Sequence, residues 1–366
     1  MTSFEARTRE CQRQLADDEA LVLFPSPNCY YLGGFDEEPG ERHFFLFVPS
    51  SGDPAFVVPE LYAEQVQTST WVEDVRTWAD DEDPLEVVRE VAADLDVADA
   101  HLLLDATMWA RFVLDLQRAL PDATVGLADE VLTALRVRKD EHELDALREA
   151  ADVADAVVEG VRDLGADAVG MTERELARDV ESRLYEHGAE TLAFDIIVGS
   201  GPNGAQPHHG AGDRTIESGD PVVLDFGARV DHYPSDQTRT VVFDGDPPAE
   251  FETVHETVRE AQNAAVSIVE PGVEAQEVDA VARSVIEDAG YGEQFVHRTG
   301  HGVGLEVHES PYIVDGNDRE LEPGMVFSVE PGIYLDGEFG VRIEDLVVVT
   351  EDGHERLNTT PRGWRV

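Results

Sequence analysis

Lysine is almost missing from this sequence. Its 366 residues include 27 basic and 78 acidic side chains, a net charge of −51, and Lys139 is the single lysine. So negative a surface repels free nucleic acid, and no nucleic-acid partner is expected. Cysteine is also scarce. Cys11 and Cys29 are too few for a disulfide framework or a thiolate metal site. No apolar run reaches the roughly 18 residues that a membrane-crossing helix requires. The opening "MTSFEARTRECQRQLADDEA" is polar and lacks the apolar stretch of an export signal. A cytoplasmic protein with no membrane partner is therefore expected.

What is abundant is acid, dispersed along the chain as in "ADDEDP", "AADLDVADA" and "DGDPPAEFE" rather than gathered in one tail. We read this as adaptation to a cytoplasm of molar salt, that is, a halophile. At about 1 M the Debye length falls to about 3 Å, and self-repulsion that destabilises a fold in dilute buffer is screened.

Short apolar runs, "ALVLF", "HFFLFVP", "PAFVVP" and "HLLLD", read as strands separated by turn residues. "FEARTRECQRQLADD", "DPLEVVREVAADL" and "MWARFVLDLQRAL" read as helices. Their alternation predicts a small α/β domain over residues 1–132. A second domain, 133–366, opens on two long helices. In the first, Leu144, Leu147, Ala151, Ala154 and Val158 recur at three- and four-residue intervals. The second carries a capping box, Thr172 with Glu175, and stops at Gly188. Strands dominate after Phe194, interrupted by helical stretches at 249–269 and 275–289. The fold class expected is α+β.

"IIVGSGPNG" contains Gly199, Gly201 and Gly204 in the spacing of a dinucleotide-binding turn, with Asp225 about 20 residues on. Its context fails. Residues 205–219 hold Pro207, Gly210, Gly212 and Gly219 and show no helical period, so no helix N-terminus is offered to a pyrophosphate. The glycines are read as a loop.

Two hairpins carry the informative carboxylates. In "GDPVVLDFGARVDHYPSDQTRTVVF" strands flank a turn, and Asp225 and Asp236 are expected to face each other across the ladder. Two acids so close resist ionising unless a cation sits between them. "MVFSVEPGIYLDGEFGVRIEDLVVV" repeats the arrangement, with Glu330 at the end of one strand and Glu344 inside the next. An acid among Ile343 and Leu346 needs a partner. Between the hairpins, "FVHRTGHGVGLEVHES" supplies His297, His301 and His308, and "QPHHG" adds His208 and His209. Four carboxylates and a histidine suit two divalent ions such as Mn²⁺ or Co²⁺, or Zn²⁺, and hence metal-dependent hydrolysis.

In order and spacing, "LDFG…SDQTRT", "HRTGHGVGL…VHE", "EPGIY" and "GVRIED" resemble the pita-bread metallopeptidases, notably Xaa-Pro dipeptidase (prolidase) and Xaa-Pro aminopeptidase. "PSPNCYYLGGF" and "ERHFFLFVP" resemble that family's N-terminal creatinase-like domain. The resemblance implies a pseudo-two-fold pita-bread domain and a homodimer. It also implies hydrolysis of the bond preceding proline in short peptides by a water activated on a dinuclear centre. Asp225, Asp236, His301, Glu330 and Glu344 match the five ligands, with Asp236 and Glu344 bridging and Glu330 also a general base. His208, in the loop before the first metal strand, His308, near the scissile carbonyl, and His297, in the substrate pocket, match catalytic-site histidines, and Arg342 matches an arginine that pairs with acids or with the substrate carboxylate; His209 is expected to be structural. Gln237 departs from the apolar residue usual between the second aspartate and "TRT". Metal-free creatinase-like hydrolases and non-catalytic binding modules share the fold, but both predict missing ligands, and all five are present.

Overall fold

Apolar runs in the first third of the chain become a six-stranded mixed sheet in the computed structural model, which describes residues 3–366. Its strands are β1 (Glu19–Leu23), β2 (Phe45–Pro49), β3 (Ala55–Pro59), β4 (Asp74–Trp78), β5 (His101–Leu104) and β6 (Thr124–Leu127), in the order β4-β3-β2-β1-β5-β6. β1 is antiparallel to β2 and parallel to β5. The helices are α1 (Ser3–Gln14), α2 (Pro27–Gly33), α3 (Ala63–Ser69), α4 (Pro84–Asp94), α5 (Ala110–Ala119) and α6 (Asp129–Arg136). Val22, Phe45, Phe47 and Val57 of the sheet pack with Val88 and Val91 of α4 and Phe112 of α5. The central strands are covered on both faces, which is why they read as unbroken apolar runs.

By its contacts the chain forms two compact units, the first ending at Arg136 and the second Val137–Val366. The second opens with α7 (Glu141–Arg162) and α8 (Glu173–Glu186). Both begin with capping boxes, Asp140 with Glu143 and the expected Thr172 with Glu175. Two small sheets follow, their strands interleaved along the chain. β7 (Thr191–Leu192), β10 (Ala228–Val230) and β11 (Tyr233–Pro234) form one sheet; β8 (Ile197–Ser200), β9 (Val222–Phe226) and β12 (Gln237–Val241) form another. α9 (Phe251–Ser267) and α10 (Ala275–Asp288) then precede β13 (Gly300–Gly302), β14 (Glu309–Ile313), β15 (Val326–Val329), β16 (Gly332–Leu335), β17 (Phe339–Arg342), β18 (Asp345–Thr350) and β19 (Gly353–Arg356). Of these, β14-β13-β15-β18-β19 form a sheet and β16-β17 a hairpin.

Each half of this unit sets strands on a helix pair. Val158 of α7 and Leu176 of α8 pack with Val198, Leu224 and Val241. Val258 of α9 and Val278 of α10 pack with Phe327, Val341 and Val347. This is the pseudo-two-fold expected without a sequence repeat.

Three local expectations are corrected. Asp225 pairs in register with Thr238, and Asp236 precedes β12, so the two aspartates are diagonal neighbours on one face. Glu344 is not inside a strand. The stretch read as one hairpin is four strands in two sheets, and Glu344 falls at the break between β17 and β18. The glycine loop is partly ordered, because Gly201–Ala205 forms a 3-10 turn.

Candidate metal centre

The break between β17 and β18 brings Glu344 to β12. Its backbone N–H donates to the Thr238 carbonyl at 3.1 Å, and Thr238 Oγ1 donates to Glu344 Oε2 at 2.6 Å. Strand alternation puts Asp236 and Thr238 on this face and turns Gln237 away. The Gln237 amide instead donates to Asp155 and to Thr360 Oγ1, both at 2.8 Å. The departure at Gln237 therefore does not touch the site. β13 brings His301. A Cβ on Gly300 would lie 1.8 Å from the Ser328 carbonyl oxygen, so only glycine lets β13 press this close to β15. Glu330 follows β15, and its N–H donates to the Thr299 carbonyl at 2.8 Å.

Donor atoms of Asp236, His301 and Glu344, all buried, lie within 4.8 Å of one another. Glu330 Oε1 is 3.3 Å from His301 Nε2, and Asp236 Oδ2 is 3.6 Å from it. Asp225 stands beside this cluster, with Oδ2 accepting from Arg342 Nη2 at 2.6 Å. Its Oδ1 is buried with no partner, and Asp236 accepts no hydrogen bond from any described side chain.

The electrostatics follow from that crowding. Burial, then Glu344, Asp225 and Glu330, push the Asp236 carboxyl well above its ordinary range. Burial, then Glu330 and Asp225, do the same to Glu344. Burial raises Glu330 to about 7, with Arg342 pulling the other way. Burial lowers His301 to about 3, so its ring is a neutral nitrogen donor at working pH. Four converging carboxylates, one with an orphaned oxygen, and a neutral imidazole fit hard divalent cations, which would keep the acids ionised.

These residues line one wall of a cavity of about 640 Å³. His208, His297 and His308 line it too, as do Arg342 and the apolar Phe194, Ile196 and Ile197. The His308 ring lies edge-on to His301 with centroids 4.1 Å apart. The resemblance gave no role to Tyr334, although it quoted "EPGIY". Its buried hydroxyl lies 2.9 Å from His297 Nε2 and accepts from Arg342 Nη1 at 2.9 Å. Arg298, which also lines the cavity, gave no signal beyond its place in the "HRTGHG" run.

His209 also borders the cavity, but its ring is held by an acid outside the cluster. Its Nε2 is 2.8 Å from the buried Glu173. The same carboxylate accepts from Ser200 N and Oγ, Asn203 Nδ2 and Gly212 N. The glycine turn thus wraps an acid of α8. A Cβ on Gly340 would lie 2.0 Å from the Gly204 carbonyl oxygen, so turn and β17 are in backbone contact.

The fold and the clustered donors define a two-domain metallohydrolase. The sequence pattern of metallopeptidase family M24 matches residues 145–351, and that of the creatinase/prolidase N-terminal domain matches 7–138. This chain belongs to metallopeptidase family M24. It is 44% identical over 345 residues to the probable dipeptidase PepE of Mycobacterium tuberculosis, covering 93% of this chain and 90% of that one. It is 38% identical over 355 residues to the Xaa-Pro dipeptidase of Lactobacillus delbrueckii subsp. lactis, covering 95% of each. The crystal structure of prolidase from Thermococcus sibiricus superposes with a TM-score of 0.94 at 39% identity, covering 100% of this chain and 99% of that one. The family implies divalent metal ions. No helix among the described residues is long and apolar enough to cross a membrane.

Proposed function

We propose that this chain is an exopeptidase that hydrolyses the peptide bond preceding proline in short peptides at a dinuclear metal centre. The carrying observation is the convergence of Asp236, His301 and Glu344 donor atoms within 4.8 Å on the wall of the 640 Å³ cavity. The Xaa-Pro dipeptidase and prolidase relatives supply the substrate class.

Asp225, Asp236, His301, Glu330 and Glu344 would hold two divalent ions, Mn²⁺ or Co²⁺ foremost and Zn²⁺ as an alternative. Asp236 and Glu344 would be shared between the ions, Asp225 would serve one of them, and His301 with Glu330 the other. When bound, such ions lower the pKa of water and polarise a carbonyl oxygen.

The remaining work falls to side chains. A bond to proline is a tertiary amide with no N–H, so an enzyme cannot grip it by backbone pairing. Phe194, Ile196 and Ile197 offer the pyrrolidine ring an apolar wall. Glu330, with Oε1 3.3 Å from His301 Nε2 at the cavity wall, would serve as the general base that takes up the proton of the attacking water. His208 and His308 face the same cavity and can hydrogen-bond the scissile carbonyl oxygen as charge develops there. Burial lowers His297 to about 4, and this neutral ring holds the Tyr334 hydroxyl against Arg342. The resemblance supports a homodimer, and the free, buried Cys11 and Cys29 accord with a cytoplasmic setting. The test is to strip metal and assay Xaa-Pro and Xaa-Pro-Yaa in molar KCl with Mn²⁺, Co²⁺ and Zn²⁺ in turn. Proline-dependent cleavage is expected to return; its absence with every metal would defeat the substrate assignment.

A further inference from the structure

We infer that the arginines gathered between α9 and residues 362–365 form a binding site for a small oxyanion of the phosphate class, separate from the metal centre and independent of the proposed peptidase activity.

A cavity of about 500 Å³ is lined by Arg259, Arg362 and Arg365, with His255, Glu256 and Trp364. It shares no lining residue with the cavity beside the metal cluster. His255, Glu256 and Arg259 belong to α9, and the others to the chain beyond β19. Arg162, the last residue of α7, donates to the carbonyls of Gly363 and Arg365. It has no carboxylate partner among the described residues.

Pairing here leaves positive charge over, in a chain whose net charge is −51. Arg239, Arg356 and Arg362 all lean on the one carboxylate of Asp345. Arg259 has Glu256, and Arg365 has Glu252. Counting Arg162, six arginines share three carboxylate partners. These cations oppose one another. Burial and then Arg239 lower the pKa of Arg162. Burial lowers that of Arg356, Asp345 opposes it, and Arg362 and Arg239 add to the fall. An anion among them would relieve that repulsion.

His255 narrows the choice of anion. It lines the same cavity, is only 2% exposed, and its Nε2 has no partner. Burial lowers it to about 4, so the ring is neutral, and its one proton goes to the Thr240 backbone. Nε2 is therefore an acceptor in want of a donor, which a buried polar group seldom lacks. Hydrogenphosphate supplies both needs. Its charged oxygens accept from guanidinium forks, and its remaining hydroxyl can donate to Nε2. Sulfate has the charge but no hydroxyl. A ligand held here ties α9 to the C-terminal segment and binds only the folded chain, so it raises Tm by mass action.

The experiment titrates the full chain with inorganic phosphate near neutral pH at fixed KCl, by calorimetry and by melting, with sulfate as the comparison. Arg259→Gln, Arg365→Gln and Asp236→Ala are titrated alongside. Arg259 and Arg365 each pair only with a half-exposed or exposed glutamate, so neither variant removes a buried contact. We expect saturable phosphate binding with a rise in Tm, and weaker binding of sulfate. Each arginine variant should lose on the order of tenfold in affinity, while Asp236→Ala keeps it. No saturable binding, unchanged affinity in both arginine variants, or sulfate bound as tightly as phosphate would overturn the inference. So would loss of binding in Asp236→Ala alone, which would put the phosphate on the metal centre.

Discussion

Oδ2 of Asp225 lies 2.6 Å from Nη2 of Arg342, two buried groups drawn from β9 and β17 and separated by 117 residues. Removing one partner of such a pair strands a buried charge, a loss of about 3–5 kcal/mol. Arg342→Ala should therefore destabilise the metal-free protein by about that much in a urea titration. A change within about 0.5 kcal/mol would show that the pair is not formed.

Tyr334 joins that arginine to His297 through one hydroxyl. Tyr334→Phe keeps the ring and deletes the bridge. We expect a stability loss of about 1 kcal/mol and a fall in kcat near tenfold, because both partners lose a fixed position. An unchanged kcat would place the bridge outside the reaction.

The raised acids set a pH dependence. In the metal-free fold Glu330 titrates at about 7, and Asp236 and Glu344 lie well above their ordinary values. An unfolded chain releases those protons near pH 4. The folded state then holds more protons than the unfolded one. The stability these groups contribute is complete below about pH 4 and is lost as pH rises through their folded values. Metal needs the same carboxylates ionised. The gain in Tm on adding Mn²⁺ should therefore grow from pH 5 to pH 8. His301, at about 3 in the fold, is neutral throughout and puts no proton in competition with the metal, although against its unfolded value near 6.5 it costs the fold stability as pH falls below that value. A gain constant over that window would contradict the cluster.

The charge of −51 predicts salt dependence. Melting should move to higher temperature between dilute buffer and molar KCl, as screening relieves repulsion among the dispersed acids. Equal stability in both would remove the case for a saline cytoplasm. The single lysine takes no part in that surface. Its side chain is buried, with Nζ 2.8 Å from Glu309.

How far the sequence could be read depended on the periodicity of each element. The long helices α7 to α10 were legible because each carries an apolar face over 14 residues or more. The helices α2, α3 and α6 were not, since seven or eight residues span too few turns to show one. The strands β4 and β6 lie at the sheet edges and are only partly buried, so "DVRTW" and "TVGL" present no apolar run. Glu330 was placed correctly at a strand end because strand β15 before it is wholly apolar save Ser328. Glu344 was misplaced because "GVRIEDLVVV" is apolar on both sides of a break that no turn residue marks. The diagonal offset of Asp225 and Asp236 depends on register across β10 and β11, which "ARVDHYP" does not reveal. Only the folded geometry brings Tyr334 to Arg342 and Arg298 to the cavity.

Elemental analysis of the purified protein and of Asp236→Ala, after equilibration with Mn²⁺ in molar KCl, tests the metal centre most directly. We expect about two ions per wild-type chain, and a folded variant that has lost ions and activity together. Fewer than one ion per wild-type chain, or a fully active Asp236→Ala, would contradict the account.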